Sequence, residues 1–248
     1  MPDFYDARST RYYRNCEIAL LQRELGPLAG KKVLKLDLWN EAINTRILNW
    51  MEEQGAEVYG LDLSHQVTSR AKGNSRVEGN HLHLVNGDIR EVPFASESFD
   101  VVYTMGTIEH IAEYRHAIGE VHRVLKPGGT AIIGVPYKWD LFLRPLLVAV
   151  LDLFGKYPYS PEKSFSAGGL RKDIEGSGLT VVKRTGILTI PGILRMADVF
   201  CFTRGIRLTP LMSLMIRPFE IIETRWEWPG RFGYLLTMAA TRGPARES

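Results

Sequence analysis

The sequence is poor in cysteine, in long apolar runs, and in glycine at the one place where its pattern calls for it. Cys16 and Cys201 are its two cysteines, too few for a disulfide framework and consistent with a reducing compartment. Each reads as a small core side chain rather than a reactive thiol. The longest apolar run, "PLLVAVL", sits between Arg144 and Asp152, far below the ~20 residues that span a bilayer. No transmembrane helix is therefore expected. The opening "MPDFYDARSTRYYRN" is polar and aromatic, which argues against a secretory signal and for a cytoplasmic location. The missing glycines concern "KKVLKLDLWNEAINTRIL", residues 31–48. Here an apolar strand runs into a helix, as at the mouth of a nucleotide-binding sheet. Where such a mouth normally carries glycines, Asp37, Trp39 and Glu41 stand instead.

What is present describes a globular α/β chain. Its 248 residues are 45% hydrophobic and 24% charged, enough for one large domain with a substantial core. The net charge of +3 hides an asymmetry. Residues 1–137 carry 15 Lys and Arg against 18 Asp and Glu, and residues 138–248 carry 16 against 10. A basic second half suits an anionic surface or substrate, or is simply a solvated face.

Helical spacing over 11–25 predicts a leading amphipathic helix within a segment 1–29, ended by Gly26 and Pro27. Strand and helix signals then alternate. Strands are expected at "KVLKLDL", "AEVYGLDLS", "HLHLV", "FDVVYTM", "TAIIGVP", "LTVVKRTG" and "YLLTMAATR". Helices are expected at "EAINTRILNWMEEQG", after Ser64, at "EYRHAIGEVHRVL" with "KPGG" as its stop, and at "SAGGLRKDIEGSG". The alternation predicts a doubly wound, seven-stranded, mostly parallel sheet in a single domain. Two apolar stretches fall outside it, 138–163 after the fifth strand and 187–232 between the sixth and seventh. Ligands of open α/β sheets sit outside the carboxyl ends of the strands, so the first insertion is placed to cover a site. Pro145, Pro191, Pro210 and Pro218 are expected to break these insertions into short helices.

"AEVYGLDLS", "VNGDIREVPFASESFDVVYTMGTIEHI" and "EVHRVLKPGGTAIIGVP", in this order, resemble the class I S-adenosylmethionine-dependent methyltransferases, in their small-molecule branch. The resemblance is detailed over residues 30–137 and rests elsewhere on element order. It implies the Rossmann-like class I methyltransferase fold, S-adenosylmethionine as cofactor, and methyl transfer as the reaction. Asp62, followed by Leu63, would accept hydrogen bonds from the ribose hydroxyls, unless it only caps the next helix. The resemblance places Asp88 and Ile89 at the adenine; otherwise "NGD" is a turn. Thr104, Met105 and Gly106 would run past the methionine portion, with Gly106 allowing close approach of the backbone. His110 is the preferred base, with Glu109 or Tyr137 as substitutes, although a residue such as His110 equally often only orders its loop.

The family ends its first strand in an acid followed by a glycine-rich turn. In the direct register Lys35 replaces the acid and Asp37, Trp39 and Glu41 replace the glycines. Shifting by two makes Asp37 the acid, in a longer loop where Asn40 takes a left-handed backbone and Asp37 or Glu41 holds the cofactor's amino group. The other outcome is a closed, vestigial pocket and a non-catalytic binding or scaffold protein, or an enzyme with an altered ligand. His81 and His83 alternate on one strand without a third ligand, so no metal site is expected; His116 and His122 read as a solvated helix face. The insertions, with Arg144, Arg195, Arg204, Arg207 and Arg217 among aliphatics, suit a hydrophobic or lipid-like acceptor and peripheral contact at the inner membrane face. They suit equally an ordinary helical cap. Their composition argues against nucleic acid.

Overall fold

In a computed structural model the described residues are 2–77, 79, 81–155, 162–206 and 208–244. Seven strands form one sheet: β1 (Lys32–Leu36), β2 (Glu57–Asp62), β3 (His83–Asn86), β4 (Phe99–Met105), β5 (Leu125–Pro136), β6 (Leu179–Ile187) and β7 (Leu235–Arg242). Their order is β3-β2-β1-β4-β5-β7-β6, parallel except for β7, which runs antiparallel to both of its neighbours. This is the doubly wound arrangement that the alternation predicts. The order reverses between β1 and β4, and the crevice at that switch point faces the carboxyl ends of β1, β2 and β4.

Both faces are covered, as a buried parallel sheet requires. On one face α1 (Arg8–Leu25), α2 (Trp39–Ile43), α3 (Ile47–Glu53) and α4 (His65–Val77) pack through Tyr12, Leu20, Leu21, Ile43 and Leu48. On the other, α5 (Tyr114–Val124) and α7 (Ala167–Gly176) bury Ile118, Val121, Leu170 and Ile174. Ser166 caps α7, its hydroxyl accepting from the Gly169 N–H at 3.2 Å. Between them, α6 (Arg144–Leu153) belongs to the first insertion.

The helix expected over residues 41–55 is divided. α2 stops at Ile43 and α3 starts at Ile47, because Asn44 and left-handed Arg46 break the helical path. The extra length between the first two strands lies in this break and not in the loop after β1, where two residues separate strand from helix.

The second insertion forms α8 (Gly192–Thr203) and α9 (Thr209–Arg225). Pro191, Pro145 and Pro210 sit at helix starts, where a missing N–H costs little. Pro218 does not break α9 as expected. It lies inside the helix on an exposed face beside Leu214, so the carbonyl it leaves unpaired meets solvent. α1 fastens this cap to the sheet. The buried Glu223 carboxylate of α9 accepts from the Tyr12 hydroxyl and from the N–H groups of Leu188 (2.6 Å) and Thr189 (2.7 Å). Asp198 of α8 accepts from the Ser9 N–H at 2.6 Å.

Candidate active site

β1 delivers Asp37 to the crevice in a conformation that normally needs glycine, with φ of 124°. The side chain is locked from three directions. Its Oδ1 accepts from the Trp39 N–H at 3.1 Å, and its Oδ2 accepts from the Thr107 hydroxyl at 2.6 Å. Lys35 Nζ donates to the Asp37 carbonyl at 2.7 Å and lies 3.4 Å from Oδ2. Glu41 Oε1 stands 3.5 Å from the same ammonium. Burial alone would lower the Lys35 pKa, but the carboxylates of Asp37, Glu41 and Glu17 outweigh it and hold the ammonium raised and charged. Burial pushes Glu41 up as well.

Lys35 is turned under the floor of the crevice and neutralised there. Asp37 adopts a backbone that glycine usually supplies. Asn40 lies within α2 without a left-handed backbone, and Glu41 is committed to Lys35 and to the Leu48 N–H (3.1 Å). Lys35 pairs with Gly60 of β2 and Tyr103 of β4 within the sheet.

β2 ends at Asp62, whose two oxygens accept from the N–H groups of Leu38 and Ser64, both at 2.8 Å. The first bond ties the end of β2 to the rebuilt loop. Partial burial raises the Asp62 pKa. After β3, Asp88 is clasped by Arg90: the backbone N–H donates at 2.8 Å and the guanidinium at 2.7–3.1 Å. That pairing lowers the Asp88 pKa. Ile89 lies beside it, half-buried. At the end of β4, Gly106 has φ of 76°, and a Cβ there would come 3.6 Å from Glu109 Oε1.

These groups line one cavity of about 920 Å³. Asp37, Asp62, Leu63, Asp88, Ile89, Met105, Gly106, Glu109 and His110 all border it. Thr104 does not, because alternate strand side chains point to opposite faces and Met105 takes the cavity side. Tyr137 does not either. It follows β5 into a bridge with Phe165, and its hydroxyl accepts from Arg184 at 2.9 Å.

Glu109 is the least ordinary group on the wall. Burial raises its pKa to about 8, and its Oε2 has no hydrogen-bond partner among the described residues. His110 Nε2 is 4.0 Å from its other oxygen. Five further neighbours matter here, of which sequence reasoning named Arg144 and Arg195 only as members of the apolar insertions and passed over the other three. Arg144 pairs with Glu162 and lies 3.9 Å over the Tyr234 ring. Arg195 sits over Tyr13, 5.1 Å from the ring centroid. All five border the cavity. An arginine inside an apolar insertion was the available signal for Arg144 and Arg195.

An adenosine group with an amino-acid tail fits this wall. Each Asp62 oxygen accepts one N–H and keeps capacity for a ribose hydroxyl. Gly106 leaves space at the middle. The cavity also meets Asp37 and the buried Asn44, whose Oδ1 accepts no hydrogen bond from the described residues.

A methyltransferase-domain family model matches residues 43–133. That match, over 91 of the 248 residues, and the strand order together support a class I S-adenosylmethionine-dependent methyltransferase. Among curated relatives, the demethylmenaquinone methyltransferase of Staphylococcus haemolyticus is 38% identical over 76 residues, 31% of each chain. The sterol 24-C-methyltransferase ERG6B of Gibberella zeae is 39% identical over 87 residues, 34% of this chain and 22% of that one. The chain thus spans about a third or less of the length of these two relatives. Among solved structures, magnesium protoporphyrin IX methyltransferase from Synechocystis, with bound SAH, superposes with a TM-score of 0.61. That match has 16% identity and covers 96% of this chain and 86% of the other, a likeness of fold.

Proposed function

We propose that this methyltransferase binds S-adenosylmethionine along the β1–β2–β4 wall of the cavity and methylates a hydrophobic, lipid-like small molecule held beneath α6 and α8. The single observation that carries this reading is the continuity of the cavity. One space joins the polar strand ends at Asp37 and Asp62 to an apolar chamber bordered by Leu147, Val148, Met196 and Val199. Partial matches to enzymes named for sterol and demethylmenaquinone support the same acceptor class.

When bound, the cofactor supplies an activated methyl group, so the protein's tasks are to orient the acceptor, exclude water and accept one proton. Asp62 holds the ribose, Ile89 packs against the adenine beside the Asp88–Arg90 pair, and Asp37 with Asn44 receives the ammonium of the amino-acid tail. The former glycine loop is a working floor in this reading, its lysine cancelled from below. His110, on the cavity wall beside the buried Glu109, whose raised pKa keeps its carboxyl protonated, accepts the acceptor's proton and passes it to solvent. Arg144, fixed by Glu162 and Tyr234, orients a polar head group. The methyl transfer takes place in the cytoplasm, with peripheral contact at the membrane.

Calorimetric titration with S-adenosylmethionine and S-adenosylhomocysteine is the first test, after mass spectrometry has excluded a carried-through ligand. Micromolar binding is expected. No binding by well-folded, ligand-free protein overturns the reading. With methyl-labelled cofactor and a cellular lipid extract, label is expected in the organic phase; label confined to water-soluble products removes the lipid-like acceptor.

A further inference from the structure

We infer that the outer face of α6, α8 and α9 is a docking surface for an anionic lipid bilayer, seated so that the mouth of the cavity opens into the hydrocarbon. This deepens the proposed function and rests on its hydrophobic acceptor.

The first observation is where the exposed apolar side chains lie. Of the 24 large hydrophobic side chains exposed among the described residues, 21 fall in the two insertions. Leu146 and Leu153 on α6, Phe200 on α8, and Leu211 and Leu214 on α9 turn outward, with Leu214 73% exposed. A concentration of this kind on one part of a surface marks an interaction site.

The second observation links that face to the site. Met196 and Phe200 border the cavity and are also 42% and 52% exposed on the outer face. α6 meets α8 at Gly192, where a Cβ would touch Arg144 and Leu147 at 3.7–3.8 Å. The chamber is thus bordered by the very helices that carry the apolar face. An acceptor partitioned into a bilayer can then reach the chamber without exposing its apolar surface to water.

Charge selects the occupant. The two insertions contain ten Lys and Arg against seven Asp and Glu. Asp140, Asp198 and Glu223 of that minority are buried, and Glu162 is paired with Arg144. Arg204, Arg217 and Arg225 are exposed and form no ion pair with a described carboxylate. Arg204 lies over Phe200 and Arg225 over Trp226, while Lys138 lies over Trp139. Exposed Trp139, Trp226 and Trp228 complete the set. Aliphatic side chains with tryptophans and unpaired arginines match the layering of a headgroup boundary. A second copy of this chain would set the same unpaired cations against one another.

The test uses vesicles and needs no acceptor. Phe200→Cys and Leu214→Cys are made separately in a Cys201→Ser background and spin-labelled; Cys16 is buried. Glu53→Cys, at the amino end of the sheet, is the control. With vesicles of phosphatidylcholine and phosphatidylglycerol, labels at 200 and 214 should gain oxygen accessibility and lose access to aqueous nickel, while the label at 53 stays unchanged. Pure phosphatidylcholine should give at least roughly tenfold weaker co-sedimentation, in line with about 1 kcal/mol per basic residue near an anionic surface. Labels at 200 and 214 that remain open to nickel overturn the inference, as does a stable dimer in solution that buries them. Either failure leaves cofactor binding by calorimetry untouched, so the two readings fail separately.

Discussion

Lys35 and Glu41 face each other at 3.5 Å, both side chains at or below 2% exposure, beneath the turn where the family carries glycines. A lysine under a cofactor's positive charges is repulsive only while its own charge is free. Here two carboxylates cancel it, and the turn above keeps a glycine-like backbone at Asp37.

This pairing should dominate local stability. Lys35→Met leaves Glu41 and Asp37 without their counter-ion in a buried site and is expected to cost about 3–5 kcal/mol in urea unfolding. Lys35→Met with Glu41→Gln should cost clearly less than Lys35→Met alone. A double-mutant loss equal to the sum of the Lys35→Met and Glu41→Gln losses would show that the two residues are not energetically coupled.

Asp62→Asn tests the ribose assignment without removing every acceptor from the Leu38 and Ser64 N–H groups. S-adenosylhomocysteine affinity is expected to fall at least roughly tenfold, with the circular dichroism spectrum retained. Unchanged affinity would leave Asp62 a loop tie and nothing more.

Glu109 imposes a pH dependence whose sign follows from its raised pKa. Between its ordinary 4.5 and about 8 the unfolded chain has released this proton while the native chain keeps it. The native state then binds more protons, so stability falls as pH rises, by up to about 1.4 kcal/mol per pH unit. Glu17, raised by burial to about 7, adds a slope of the same sign. Glu109→Gln should flatten part of this dependence in denaturation measured at several pH values, and an unaltered slope would contradict the burial of a proton there.

The tie between α1 and the cap has its own test. Tyr12→Phe removes one of three donors to buried Glu223. A loss of about 1.5–3 kcal/mol is expected, with faster proteolysis within α8 and α9 than in the sheet. Uniform proteolysis would mean that α1 does not hold the cap.

Much of this molecule was legible before its structure. Period-two apolar runs, glycine stops and helical spacing depend on neighbours within a few residues, so they specified seven strands, their alternation with helices and the acids ending β2 and following β3. The insertions were visible as apolar stretches outside that alternation. The division of α2 from α3 and the continuity of α9 through Pro218 were not, since both depend on what surrounds the backbone.

The sequence by itself determined the fold, the resemblance to class I methyltransferases and the strand ends bearing Asp62, Asp88 and Gly106, because local patterning and chain order carry that information. Only the tertiary structure decided that Lys35 is cancelled from below, and that Glu109 rather than Tyr137 meets the cavity. It also joined Arg144 to Glu162 and Tyr234, and Tyr12 to Glu223 across 211 residues. Those facts rest on side-chain direction and on charges meeting through space, which linear spacing does not encode.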